Sequence, residues 1–349
     1  MKKYFTFLLV PLLYACQPKT VENDGGLIVE LSIADNNAAE EDINPAIETI
    51  KNRMDYMGCE DPVIAFSADK KRIQVRLPLI MDSAFYRDCV LGKGTFSIIQ
   101  GFRNIYFGDN IENLNRAILK NPEINAQIPF DTIYPHQSDS LNPLFRILSP
   151  SWSNLSSIMG YALPKDTALV GSILKNEKIR KFLPEGYSFR WSKDLIENHC
   201  YLHVARKPHK DNIVTFDMLA DVEKHKGTSS DKYDVQLTLK SDYNKNLANV
   251  TELGLPIVIL IDNKVFSAPQ GTTTIPDGKA TIGNLSLDEA NYLVALFKYG
   301  SLKLDLKIEK MTVIDLSKPA EQPIKSNEPA TDSSVLFVDP EQLPDKKNL

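Results

Sequence analysis

Short runs in which apolar and polar residues alternate are separated by stretches in which apolar residues recur every three or four positions. The first run, Leu27 to Ile33, reads as a strand. Ile43, Ile47, Ile50, Met54 and Met57 then mark one face of a helix, with Asn44 as N-cap, Pro45 at the first helical position and Gly58 closing it. Pro62 to Phe66 and Arg72 to Leu77 read as paired strands joined through Ala68-Asp69-Lys70, and Ile73, Val75 and Leu77 face a core. A helix near Ser83 to Val90 and a strand from Thr95 to Gln100 complete a β-α-β-β-α-β order, the ferredoxin-like arrangement.

Beyond Phe102 the rhythm weakens. Helices are predicted at Asp109 to Lys120, Thr167 to Lys175 and Phe216 to Lys224, with a loop at His136 to Ser140. Tyr233 to Leu239 reads as a strand, Ser241 to Glu252 as a helix, and "LPIVILIDNKVFSAP", Leu255 to Pro269, as a hairpin. Asp262-Asn263 suits its turn because both residue types tolerate the positive φ of type I′ geometry, and Pro269 ends the second strand by withholding an amide. Ser286-Leu287-Asp288-Glu289 is a capping box before a helix with Ala290, Leu293, Val294 and Phe297 on its buried face and Gly300 at its end. Leu302 to Ile314 alternates as a long strand. From 316 to 349 the chain turns to Pro, Ser, Glu and Lys, a composition expected to stay disordered.

The N-terminus changes the picture. Lys2 and Lys3 precede an apolar run from Phe5 to Ala15, too short to span a bilayer, which reads as a signal peptide over residues 1–15. Leu13-Tyr14-Ala15-Cys16 resembles a bacterial lipobox, so Cys16 is the expected lipidation site and residues 16–24 a tether; the alternative is a plain signal peptide with an incidental Cys. No later segment approaches eighteen consecutive apolar residues, so the expectation is a chain anchored to a membrane through acyl chains and not spanning it. With Cys16 removed, Cys59, Cys89 and Cys200 allow at most one disulfide. At 349 residues with 43% hydrophobic residues the composition is ordinary for a globular protein, and a net charge of −5 leaves no footprint for nucleic acid.

Candidate chemistry is sparse. "HCYLH", His199 to His203, would bring its imidazoles together on a helix, but Cys200, Leu202 and Val204 alternate as in a strand. There the rings would stand about 13 Å apart, too far for one ion with Zn–N bonds of ~2.1 Å, so exposed strand histidines are expected and no metal. There is no Gly-x-Ser-x-Gly, His-Glu-x-x-His, phosphate loop or GxGxxG, and Asp262 has no basic or nucleophilic partner in the sequence around it. No catalytic residue, cofactor or small-molecule substrate is indicated. Val335 to Val338, in the polar tail, reads either as a strand-adding peptide or as an incidental apolar patch.

Taken in order, these segments resemble the first periplasmic domain of SecD, an export-motor subunit. "GGLIVEL", Gly25 to Leu31, is similar to that family's Gly-Gly strand. "IKNRMDYMGCEDPVIAFSADKKRIQVRLP", Ile50 to Pro78, resembles its next motif, with Arg53, Gly58, Pro62, Ile64, Ile73, Val75, Leu77 and Pro78 in step. Asp262, Val265, Ser267, Ala268 and Pro269 match its Leu-Asp-x-x-Val-x-Ser-Ala-Pro, and Gly278 to Ile282 with Glu289, Ala290, Leu293 and Gly300 carry its last. Gly160 to Val170 and Phe182 to Ser192 look like a region inserted in some relatives. The chain departs from the pattern before Gly283, at Gly300-Ser301-Leu302-Lys303 where the family has a Pro, and in a shorter stretch between Thr251 and Asp262.

The resemblance implies an α+β protein with a discontinuous ferredoxin-like base, residues 25–101 and 302–315, and a large inserted α+β head, residues 102–301. It implies a non-catalytic binding module in protein export that contacts exported polypeptide or Sec components; the alternative is a cell-envelope scaffold that kept the fold without the export role. A hydrolase or metalloenzyme would need a clustered site. In SecD this domain lies between membrane helices that provide a proton path; a lipid signal here takes the place of the first, so the chain by itself is not expected to transduce proton-motive force. The expected place is the periplasm-facing envelope of a Gram-negative-type bacterium, and Gln17 after Cys16 leans towards outer-membrane sorting.

Overall fold

The computed structural model describes residues 20–34, 40–59, 62–66, 72–78, 92–104, 108–129, 140–151, 156–183, 185–252, 254–271 and 273–316. The chain runs through helix α1 (Val21–Asp24), strand β1 (Gly26–Ile33), helix α2 (Glu40–Tyr56) and strands β2 (Val63–Phe66), β3 (Arg72–Leu77) and β4 (Phe96–Gln100). Helices α3 (Gly108–Leu119) and α4 (Pro122–Asn125), strands β5 (Ser149–Pro150) and β6 (Ile158–Ala162), helices α5 (Thr167–Lys175) and α6 (Glu177–Arg180), and strands β7 (Tyr187–Trp191) and β8 (Cys200–Arg206) follow. Then come β9 (Ile213–Thr215), β10 (Leu219–Lys226), β11 (Tyr233–Leu239), α7 (Asn244–Val250), β12 (Ile257–Ile261), β13 (Lys264–Ser267), β14 (Lys279–Leu285), α8 (Leu287–Tyr299) and β15 (Leu306–Ile314).

The fold is α+β. Strands in the order β15-β1-β3-β2 pair antiparallel throughout, and α2 lays Ile43, Ala46, Ile50 and Met54 over their inner face. Leu27, Val29 and Leu31 alternate with Ile73, Val75 and Leu77 to complete that core. Gly26 has φ +144°, and a side chain there would collide with the Leu77 carbonyl oxygen, which accounts for the second glycine of the Gly-Gly pair.

The returning segment supplies β15 to this sheet, but one other expected strand is absent from it. The strand at 96–100 does not complete it: Ile98 lies opposite Ile259 and Ile99 opposite Val258, so β4 pairs with β12 in another sheet, and β15 takes the place beside β1. Burial explains the choice. Ile98 and Ile99 enter two different cores, so β4 is an interior strand apolar on both faces, whereas β15 has the half-exposed alternation of an edge strand. Helix α2 begins at Glu40, with Pro45 inside it and not at its start; Glu41 and Asp42 fall in the first turn, where the helix dipole favours carboxylates. The predicted helix at 83–90, the turn at 68–70, the loop at 136–139 and the tail from 317 lie outside the described residues.

Outside this sheet the chain builds three hydrophobic clusters, a central one, a smaller one on its far side and an outer one. In the central core, the sheets β13-β12-β4-β9 and β10-β11-β14 enclose Phe96, Ile98, Val235, Leu237, Ile259 and Ile261 with α7 and α8. The opposite face of β12 and β4, through Ile99, Val258 and Leu260, packs with Ala205 of β8. The outer core lies between the sheet β5-β6-β8-β7 and helices α3, α5 and α6. Helix α8 is shared: Tyr292, Leu293 and Leu296 enter the central core, while the helix also packs on α2, with Tyr56 and Tyr299 edge to face at 6.2 Å. Its capping box is formed as expected by Ser286 and Glu289.

Residues 216–224 are not a helix. A single 3-10 turn, Phe216–Met218, leads into β10, and a bulge between Leu219 and Asp221 turns both Leu219 and Val222 inward. The bulge gives a strand the three-residue spacing of a helix.

Candidate binding site

The hairpin that carries the densest motif is structural. Asp262 and Asn263 have φ of 51° and 62°, the type I′ pair expected. The Asp262 carboxylate accepts from the amides of Gly94 at 3.2 Å and Thr95 at 2.8 Å and from Thr95 Oγ1 at 2.9 Å, while the Asp262 amide donates to the Thr95 carbonyl at 2.9 Å. The turn therefore clamps the segment entering β4. Pro269 presents its carbonyl to the Ile257 amide at 2.9 Å. Asp262→Ala should cost about 1–3 kcal/mol by stranding those donors, with Asp262→Asn retaining part of the clamp; urea unfolding of the three proteins side by side measures it, and midpoints that coincide would refute the clamp.

Beside the clamp lies Arg53, from α2, at 0% exposure. Its guanidinium donates to the carbonyls of Gly92 at 2.9 Å, Lys93 at 3.4 Å and Gly300, the last at the C-terminus of α8. Gly94, at φ +75°, has no room for a side chain against Arg53 and Leu296. One buried cation thus ties the base helix, the loop into the head and the end of the shared helix.

The "HCYLH" segment forms strand from Cys200 onward, as its alternation requires, but its histidines are not both exposed. His203 is 6% exposed, its Nδ1 2.8 Å from Ser157 Oγ, and burial lowers its pKa to about 4. His199 stands 2.7 Å from the Glu197 carbonyl oxygen and edge-on to Tyr161. Burial pushes the Cys200 thiol up, with Lys264 opposing, which disfavours the thiolate a metal would need. Among the described residues no three His, Cys, Asp or Glu side chains gather as a metal site. Cys16 and Cys89 lie outside the described residues.

A concave site does exist, on the outer lobe. A cleft of about 350 Å³ opens between α5, the turn after α6, and β7. Leu174, Leu183 and Leu202 form a buried floor, Phe189 and Trp191 add aromatic walls, and Lys175, Arg180, Arg190 and Lys207 bring four cations to it. No carboxylate is among its lining residues. The cleft leaves no continuous mark in the sequence because its walls come from separate segments; the one local sign is Arg190, set between Phe189 and Trp191 in an otherwise ordinary strand.

Comparison with known proteins gives the following. Residues 202–304 match the family described as SecDF, P1 head subdomain. Protein translocase subunit SecD of Rhodothermus marinus is 25% identical over 296 residues, covering 79% of this chain and 47% of that protein; SecD of Sebaldella termitidis is 33% identical over 89 residues, covering 25% and 22%. The chain spans about half the length of the Rhodothermus relative. Among solved structures, SecDF in a super-membrane-facing form covers 86% of this chain and 32% of its own at 19% identity and a TM-score of 0.41. A SecDF described as a membrane component that enhances protein export covers 81% of this chain and 98% of its own, at 19% identity and a TM-score of 0.39. The matched segment runs from β8 through the central core to the residues after α8, narrower than the expected head of 102–301 and starting after most of the outer lobe. The chain is therefore similar to the periplasmic P1 region of SecD, and residues 202–304 are similar to its head subdomain.

Proposed function

We propose that this protein is a periplasm-facing binding module of protein export, held to a membrane by acyl chains on Cys16, and that it contacts exported polypeptide or Sec components without catalysing a reaction. The observation that carries the reading is the match of residues 202–304 to the SecDF P1 head subdomain. A second feature supports it. Among the described strands β2 pairs with β3 alone, and Val63 and Phe66 on it are 55% and 37% exposed. An edge strand with exposed apolar side chains is the kind of surface to which an extended chain adds as a further strand. Among the described residues no helix is long and apolar enough to cross a membrane.

Photo-crosslinking in cells from positions 64 and 65, between the exposed Val63 and Phe66, tests the reading. Exported polypeptides or Sec components are expected, and Val63→Lys with Phe66→Lys should remove them; a partner set made only of unrelated envelope proteins would overturn the export role in favour of a scaffold. Anchoring is tested separately: Cys16→Ala should abolish incorporation of an alkyne-tagged fatty acid and move the protein to the soluble fraction. Labelling that persists in Cys16→Ala would refute that site.

A further inference from the structure

The outer-lobe cleft joins two features that the export reading does not use. Its floor is apolar, and its charged lining is of one sign. Arg190 shows the imbalance most clearly. Nη1 donates to the Phe189 carbonyl at 2.9 Å, while Nε is buried with no hydrogen-bond partner among the described residues. Burial lowers the pKa of this guanidinium from its ordinary value, so its charge is held in a site poor in solvent. A carboxylate accepting from the guanidinium fork would relieve that cost.

Gly171 supplies an independent sign. It lies within α5, where glycine is less favourable than alanine, and a Cβ at that position would meet nothing within 4 Å. Packing against neighbouring elements does not demand glycine here. What the missing side chain leaves open is the cleft, since Gly171 is part of its lining.

We propose that this cleft binds a free carboxylate-headed amphiphile, a medium-chain fatty acid or its like, with Arg190 taking the carboxylate and the apolar body lying along Leu174, Leu183, Leu202 and Trp191. Lys175, Arg180 and Lys207 are exposed at the rim, where they raise the local anion concentration and exclude cationic ligands. The volume falls within the range of small-ligand sites. The proposal stands apart from the export reading and neither depends on the other.

Titration of the full chain with dodecanoate below its micellar concentration tests it, read by calorimetry and by tryptophan emission, since Trp191 is one of only two tryptophans in the sequence. Saturable one-to-one binding is expected, with dodecyl maltoside and dodecyltrimethylammonium weaker by about tenfold or more. Gly171→Phe should fill the cleft and remove binding while the thermal midpoint is kept. Should that variant not fold, Arg190→Gln and the exposed pair Lys175→Glu with Lys207→Glu carry the test, each lowering affinity by about tenfold. Equal affinity for the neutral and anionic amphiphiles, or unchanged binding in the charge variants, overturns the proposal. Binding of an acidic, apolar peptide at Trp191 with none of dodecanoate overturns it too, in favour of a polypeptide ligand.

Discussion

Replacing Arg53 by alanine is expected to lower stability by about 3–5 kcal/mol, the range for removing one partner of a buried, hydrogen-bonded charge. The side chain is fully buried and reaches carbonyls at Gly92, Lys93 and Gly300, so truncation leaves acceptors in a region from which water is excluded and opens a cavity beside Gly94 and Leu296. Arg53→Lys keeps the charge but cannot spread donors over two loops as the planar fork does, and should recover only part of the loss. Thermal melts give the size, roughly 10 °C for alanine. The place of the damage is as informative. Because Gly300 ends the helix shared by base and head, limited proteolysis of Arg53→Ala should first cut near residues 92–94 while the outer lobe resists. A midpoint within about 2 °C of the unaltered protein would mean that these carbonyls are satisfied without Arg53.

The same residue shows how far the sequence could be read. Arg53 was visible as one position of a motif, and the motif was right, but nothing in "IKNRMDYMG" says that its arginine points inward towards residues about forty and about 250 positions away. What was legible was local. The helix at 167–175 has the limits its pattern predicts, Ser286 and Glu289 form their capping box, and Asp262-Asn263 make the turn their φ tolerance suggests, because each is decided within a few residues. What was not legible was decided at long range. "FSIIQ" reads as a strand in any context, and only its pairing with Ile257 to Ile261 takes it out of the base. The bulge that gives β10 a helix-like spacing depends on Leu239 and Thr238 across the sheet. The cleft, built from four secondary elements and the chain between them, lay beyond any local pattern.

Acid should destabilise this protein through His203, and the effect should be removable. The imidazole is buried in β8 beside Ser157, with Arg190 as its cross-strand neighbour, and its pKa is lowered to about 4 from an ordinary value near 6.5. Between those two values the unfolded chain binds a proton that the folded chain refuses. The neutral histidine's stability is therefore fully present above about pH 6.5, is lost as pH falls towards 4, and does not change further below. The full loss amounts to about 3 kcal/mol. Denaturant unfolding from pH 7 to pH 4 measures it, but other groups titrate in the same range, so the decisive comparison is with Ser157→Ala combined with His203→Leu. That pair removes the titrating ring and the hydroxyl it would orphan, and its stability should fall less steeply over the same interval by about 3 kcal/mol. Two curves that run parallel would show that His203 takes up its proton in the folded protein as readily as in the unfolded chain.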